Sequence, residues 1–246
     1  MDRVYKQAEK TLDDLRYVAV IVGEPRVNQR HTGIAYRVDH GAPYQFLHLA
    51  WHRDLRLENH LNTHYCWVDP SIPAARLKQV AAICADIVYA NLVEQIPYSF
   101  GSPVSAFDED TKRFLLGPTN TGLTCASFVL AVFEHAQLRL SRYLGWAGPD
   151  ADDVRWQQSV LESLRVTPGV SAEHINVVER EIGTSVRYRP EQVAGAAAIR
   201  GRRAVKYRYA KAIGNDVVRF LRGESETGEF QLSFFVTVHG FEIDRA

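Results

Sequence analysis

Cysteine is scarce in this chain: three residues among 246, at Cys66, Cys84 and Cys125. No two of them stand as C-x-x-C, which excludes zinc ribbons and thioredoxin-type motifs. An odd, widely spaced set also argues against a disulfide framework. Net charge is missing as well, with 29 Lys and Arg against 29 Asp and Glu. A balanced chain has no general attraction to nucleic acid or to anionic membranes. No apolar run approaches the ~18 residues that a transmembrane helix needs. The opening residues, MDRVYKQAEK, lack an apolar signal-peptide core, so the cytoplasm is the expected location. Internal repeats and low-complexity tracts are absent too. What is present is a 46% hydrophobic composition, enough for one core with a small appended lobe.

Along the chain, residues 2–15 read as a short polar helix. YVAVIVG (17–23) is a β-branched run and reads as a strand. HTGIAYRV (31–38) and YQFLHLAW (44–51) read as two further strands, and the Asp39–Pro43 link between them has turn chemistry. Together they predict a hairpin, and HYCWVD (64–69) predicts another strand. From Pro73 to about residue 93 apolar residues recur at helical spacing. A long loop rich in Gly and Pro follows, and long ordered loops are often functional. Residues 125–136 then form an apolar helix, buried by its all-round hydrophobicity. Further helices are expected at 151–164, at 171–183 behind Ser171 as N-cap, and from Pro190. VRYRP (186–190) reads as a short strand and FQLSFFVTVHGFEI (230–243) as a final one. The basic segment 200–222 reads as a helix with a solvated face. The predicted organisation is a catalytic core over residues 1–145 and an extension over 146–246 packed on it.

The chemistry centres on Cys125, which follows a Gly-containing loop and opens the apolar helix. A thiol there meets unpaired backbone N–H groups and the positive end of the helix dipole, both of which favour thiolate. The same N–H groups can stabilise an oxyanion. A cysteine nucleophile needs a base, and the base needs an orienting partner. His31 opens one predicted strand and His48 lies within the next. They share a face only if paired positions in the hairpin sum to an odd number. Gly33 and Ala35, on the face of His31, would let a helix pack closely. Tyr98 is a candidate to assist the oxyanion and Thr124 to support the cysteine. Cys66 and Cys84 read as core residues. His48 and His52 would lie about 13 Å apart along a strand, too far for one zinc ion. No metal or cofactor is expected.

H-T-G-I-A-Y, then F-L-H-L, then T-C-A-S-F-V resembles the permuted NlpC-type papain-like hydrolases, the group that includes lecithin–retinol acyltransferase and its bacterial relatives. The likeness covers roughly residues 17–137. It implies an α+β fold in which an antiparallel sheet packs on the nucleophile helix. It further implies that Cys125 is the nucleophile, His31 the base and His48 the third polar residue. The expected activity is that of a cysteine-dependent hydrolase or acyl transferase on an amide, ester or thioester bond. Two other readings are open. One is an inactive papain-like binding module. The other is a nucleic-acid-associated protein using the basic 200–222 segment.

Overall fold

The computed structural model describes residues 4–225 apart from 27, 94, 118–120 and 200–202. The strand expected at 230–243 therefore lies outside the described residues. Six strands form one antiparallel sheet: β1 (Val4–Lys6), β2 (Val18–Arg26), β3 (Gln29–Tyr36), β4 (Gln45–Trp51), β5 (Asp54–Glu58) and β6 (Tyr65–Val68). Their spatial order is β1-β6-β2-β3-β4-β5. Six helices accompany them: α1 (Ala74–Asn91), α2 (Cys125–His135), α3 (Ala151–Arg165), α4 (Ala172–Glu181), α5 (Pro190–Ile199) and α6 (Tyr207–Leu221). The fold class is α+β.

The expected polar helix at 2–15 is not formed. Val4 is fully buried and pairs with Val68, so this segment completes the sheet at β1, and a 3-10 turn follows at Leu12–Asp14. Long-range pairing outweighs a weak local helix tendency here. Residues 186–190 are likewise no strand: 186–189 run irregularly into α5. Among the described residues the remaining predicted helices and strands are present, with the helix expected at 200–222 formed over Tyr207–Leu221.

Alternation along the strands gives the sheet two buried faces. Val20, Val22, Ile34, Leu47 and Leu49 point to the larger core, which α1, α2 and α5 cover. Ala19, Ile21, Ala35, Phe46 and Trp67 point to a smaller cluster closed by Leu12, Leu15 and Leu61. α2 is buried along nearly its whole length, from Cys125 to Phe133, as its apolar sequence requires. Residues beyond 145 join the same core through Val160, Leu164, Val178, Val193 and Phe220. α6 turns Ala210, Ile213, Val217 and Phe220 inward. No helix among the described residues is long and apolar enough to cross a membrane.

Candidate active site

The β3–β4 pairing joins Ile34 with Leu47, Ala35 with Phe46 and Tyr36 with Gln45. All three sums are odd, so His31 and His48 share a sheet face, and His31 Nε2 lies 2.8 Å from His48 Nδ1. The space beside them is made by Gly33. A Cβ at that position would sit 2.6 Å from the His48 Cβ and 2.6 Å from Phe46 Cε2. Gly33 therefore admits a neighbouring imidazole on the face where a helix was expected. His48 is 5% exposed and stacks on Phe46, with ring centroids 4.4 Å apart and planes at 11°.

Cys125 occupies the first turn of α2. Thr124 caps that helix: its hydroxyl accepts the Ser127 N–H at 3.1 Å, while Ser127 Oγ accepts the Thr124 N–H at 2.8 Å. Reciprocal capping fixes the angle at which the chain enters the helix, and so fixes the thiol. The Thr124 hydroxyl is thereby committed to the helix end. Tyr98 is brought alongside by a short parallel bridge to Leu123, with Leu123 N–H donating to Pro97 O at 2.9 Å. Gly122 allows this approach, because a Cβ there would fall 2.4 Å from Pro97 O. Burial pushes the Tyr98 hydroxyl well above its usual range, and its neighbour Cys125 acts on it. Two histidines with no sequence signal hold the Tyr98 main chain: His52 Nδ1 accepts its N–H at 3.3 Å, and His174 Nε2 donates to its carbonyl at 2.9 Å.

Cys125, His31, His48 and Tyr98 all line one cavity of about 430 Å³. The opposite wall comes from beyond residue 145, through Trp156, Arg187 and Tyr188. His31 offers Nε2 to His48, which leaves its Nδ1 as the unengaged ring nitrogen. Behind His48 stands Glu58 on β5, with Oε1 3.5 Å from His48 Nε2. That separation is long for a hydrogen bond, and Nε2 is buried without a closer partner. Sequence reasoning did not single out Glu58. The alternation in DLRLE (54–58) was its available signal, since pairing of Phe46 with Glu58 and His48 with Arg56 makes Glu58 a diagonal neighbour of His48.

Burial governs the charges. It lowers His31 to about 3, helped by the charges of His48 and Arg56. It raises Cys125 to about 11, against the opposing pull of the Thr32 and Ala126 amides and of Arg187. Burial also lowers His48, and Glu58 opposes that shift. At neutral pH the Cys125 thiol and the His31 imidazole that line this cavity are therefore both neutral. A Glu58 carboxylate facing His48 Nε2 favours a proton there. His48 Nδ1 is then an acceptor, His31 Nε2 carries hydrogen, and His31 Nδ1 holds a lone pair. Cys66 and Cys84 are buried and unoxidised, with their acidities lowered by burial. Among the described residues no group of three or more His, Cys, Asp or Glu is arranged to hold a metal ion. Compared with known protein families, curated proteins and solved structures, the chain matches none.

Proposed function

We propose that this chain is a cysteine-dependent hydrolase or acyl transferase on a permuted papain-like scaffold, acting on an amide, ester or thioester bond. One observation carries the reading: a thiol at the start of a buried helix and a hydrogen-bonded imidazole pair open onto the same cavity. The Cys125 sulfur attacks the carbonyl carbon while His31 Nδ1 takes the thiol proton, and the carbonyl electron pair moves onto oxygen. Because both groups are neutral at rest, this is general-base catalysis during attack, not attack by a stored thiolate. Amides at the start of α2 and the Tyr98 hydroxyl face the developing oxyanion. Collapse breaks the bond to the leaving group, which receives the proton from His31, and leaves an acyl thioester on Cys125. Water or another acceptor then attacks with His31 again as base, releasing the acyl group and restoring the thiol. His48 orients His31, and Glu58 acts as a positioning residue through the His48 tautomer.

The test is turnover of 4-nitrophenyl acetate. Cys125→Ala is expected to lower it by about 10³-fold or more, and equal turnover in variant and wild type overturns the proposal. A second reading, an inactive binding module of the same architecture, is favoured by the burial of the thiol, which is only 6% exposed. That reading expects no turnover in the wild type.

A further inference from the structure

We infer that the substrate carries an anionic group, carboxylate or phosphate, held by Arg187 beside the reacting carbonyl. This inference rests on the cysteine reading above and names the substrate class for that site. Arg187 lies in the irregular stretch before α5 and lines the same cavity as Cys125. Its guanidinium stacks on Trp156, 4.1 Å from the ring centroid. One nitrogen, Nη1, reaches Asp153 at 3.2 Å, and Nε is buried with no hydrogen-bond partner. Asp153 is shared: it also takes Arg189 at 2.7 Å. Arg189 has Asp150 as a second partner at 3.3 Å, whereas Arg187 has Asp153 alone and shares it.

The cavity wall points the same way. Its charged lining comprises Arg26, Arg30, Arg56 and Arg187 against a single carboxylate, Asp54. Arg56 is matched by Asp54 at 2.6 Å, and Arg30 by Glu191 at 2.8 Å. Arg187 is the deep member whose pairing is incomplete. An unpartnered N–H in a buried guanidinium is costly unless something fills it, and the planar fork of arginine matches carboxylate and phosphate oxygens. A purely structural clamp on Asp153 would use the fork on that residue and would have no need to line the cavity. Trp156 holds the guanidinium plane in place, and Tyr188 and Trp51 supply apolar surface for the rest of the ligand.

The experiment compares alkylation of Cys125 in the full-length protein by iodoacetate, which is anionic, and by iodoacetamide, which is its neutral counterpart. Peptide mass spectrometry separates Cys125 from Cys66 and Cys84, and N-acetylcysteine serves as the reference thiol. The iodoacetate-to-iodoacetamide rate ratio at Cys125 is expected to exceed the reference ratio by about 10-fold, the worth of a hydrogen bond to a charged group. In Arg187→Gln the ratio should fall to the reference, while Arg187→Lys should restore part of it. Succinate or inorganic phosphate should slow alkylation of the wild type, and whichever protects at the lower concentration identifies the anion. A wild-type ratio no higher than the reference overturns the inference without recourse to any variant. An equal loss with both reagents in Arg187→Gln also overturns it, since Arg187 would then act on the thiol alone. If neither reagent modifies Cys125 under conditions that alkylate N-acetylcysteine, the nucleophile reading falls and takes this inference with it.

Discussion

At the scale of single residues, the account depends on which ring nitrogen carries hydrogen. Glu58 sits 3.5 Å from His48 Nε2, and His48 Nδ1 is 2.8 Å from His31 Nε2. Glu58→Gln keeps the shape of the side chain and removes the charge that selects the His48 tautomer. Its kcat should fall about tenfold or more with KM little changed, by analogy with removing the carboxylate behind a catalytic histidine. Steady-state kinetics on 4-nitrophenyl acetate check this. A matched loss of protein stability without a fall in kcat would assign Glu58 a structural role. Much of this site was legible in the sequence because its determinants are local. A cysteine between a Gly-containing loop and an apolar run marks a helix start, and period-two alternation puts His31 and His48 on one face for an odd register, which the structure supplies. Glu58 had only the alternation of residues 54–58 as a signal, while Arg187 and the His52–His174 clamp were not legible. Each acts through neighbours distant in sequence, such as His174 on Tyr98, and no spacing rule connects them.

At the scale of elements, the β3–β4 pair is built around a missing side chain. Adding a methyl at Gly33 would bring it to 2.7 Å from the Leu47 carbonyl oxygen as well as against His48 and Phe46. The main chain cannot yield as a flexible side chain would, so the strands must part or His48 must swing away. Gly33→Ala should cost about 1–3 kcal/mol, the usual penalty of overpacking, and should reduce turnover further by displacing His48. Urea unfolding and turnover measured together decide the point. An unchanged midpoint with unchanged turnover would mean that this contact does not position the imidazole. The start of α4 was legible from its cap, Ser171, and that of α2 from the apolar run that opens at Cys125. β1 was not, because its three residues become a strand only when β6 is there to pair with them. The irregular 186–189 stretch was misread for the converse reason: its alternating residues find no neighbouring strand and serve the cavity wall instead.

At the scale of the whole molecule, one core unites the sheet, α2 and the C-terminal helices, so the site depends on global stability. Among the described residues four imidazoles resist protonation in the fold: His31, lowered to about 3, His52, lowered to about 4, and His48 and His135, lowered as well, each chiefly by burial. In the unfolded chain a histidine takes its proton near pH 6.5. Between that pH and the folded values the unfolded state binds more protons, so stability falls as the pH falls. The urea midpoint should therefore drop between about pH 6.5 and 4, and His31→Gln should flatten that slope. A midpoint that stays level through this range would contradict the burial of neutral imidazoles. The central claim, that the Cys125 thiol becomes a nucleophile through His31, is tested most directly by trapping the acyl intermediate. Protein mixed with 4-nitrophenyl acetate, quenched in acid and digested should carry the acetyl group on the Cys125 peptide, and His31→Gln should form that adduct about 100-fold more slowly. Equal rates in the two proteins, or acetylation only at other residues, would contradict the account.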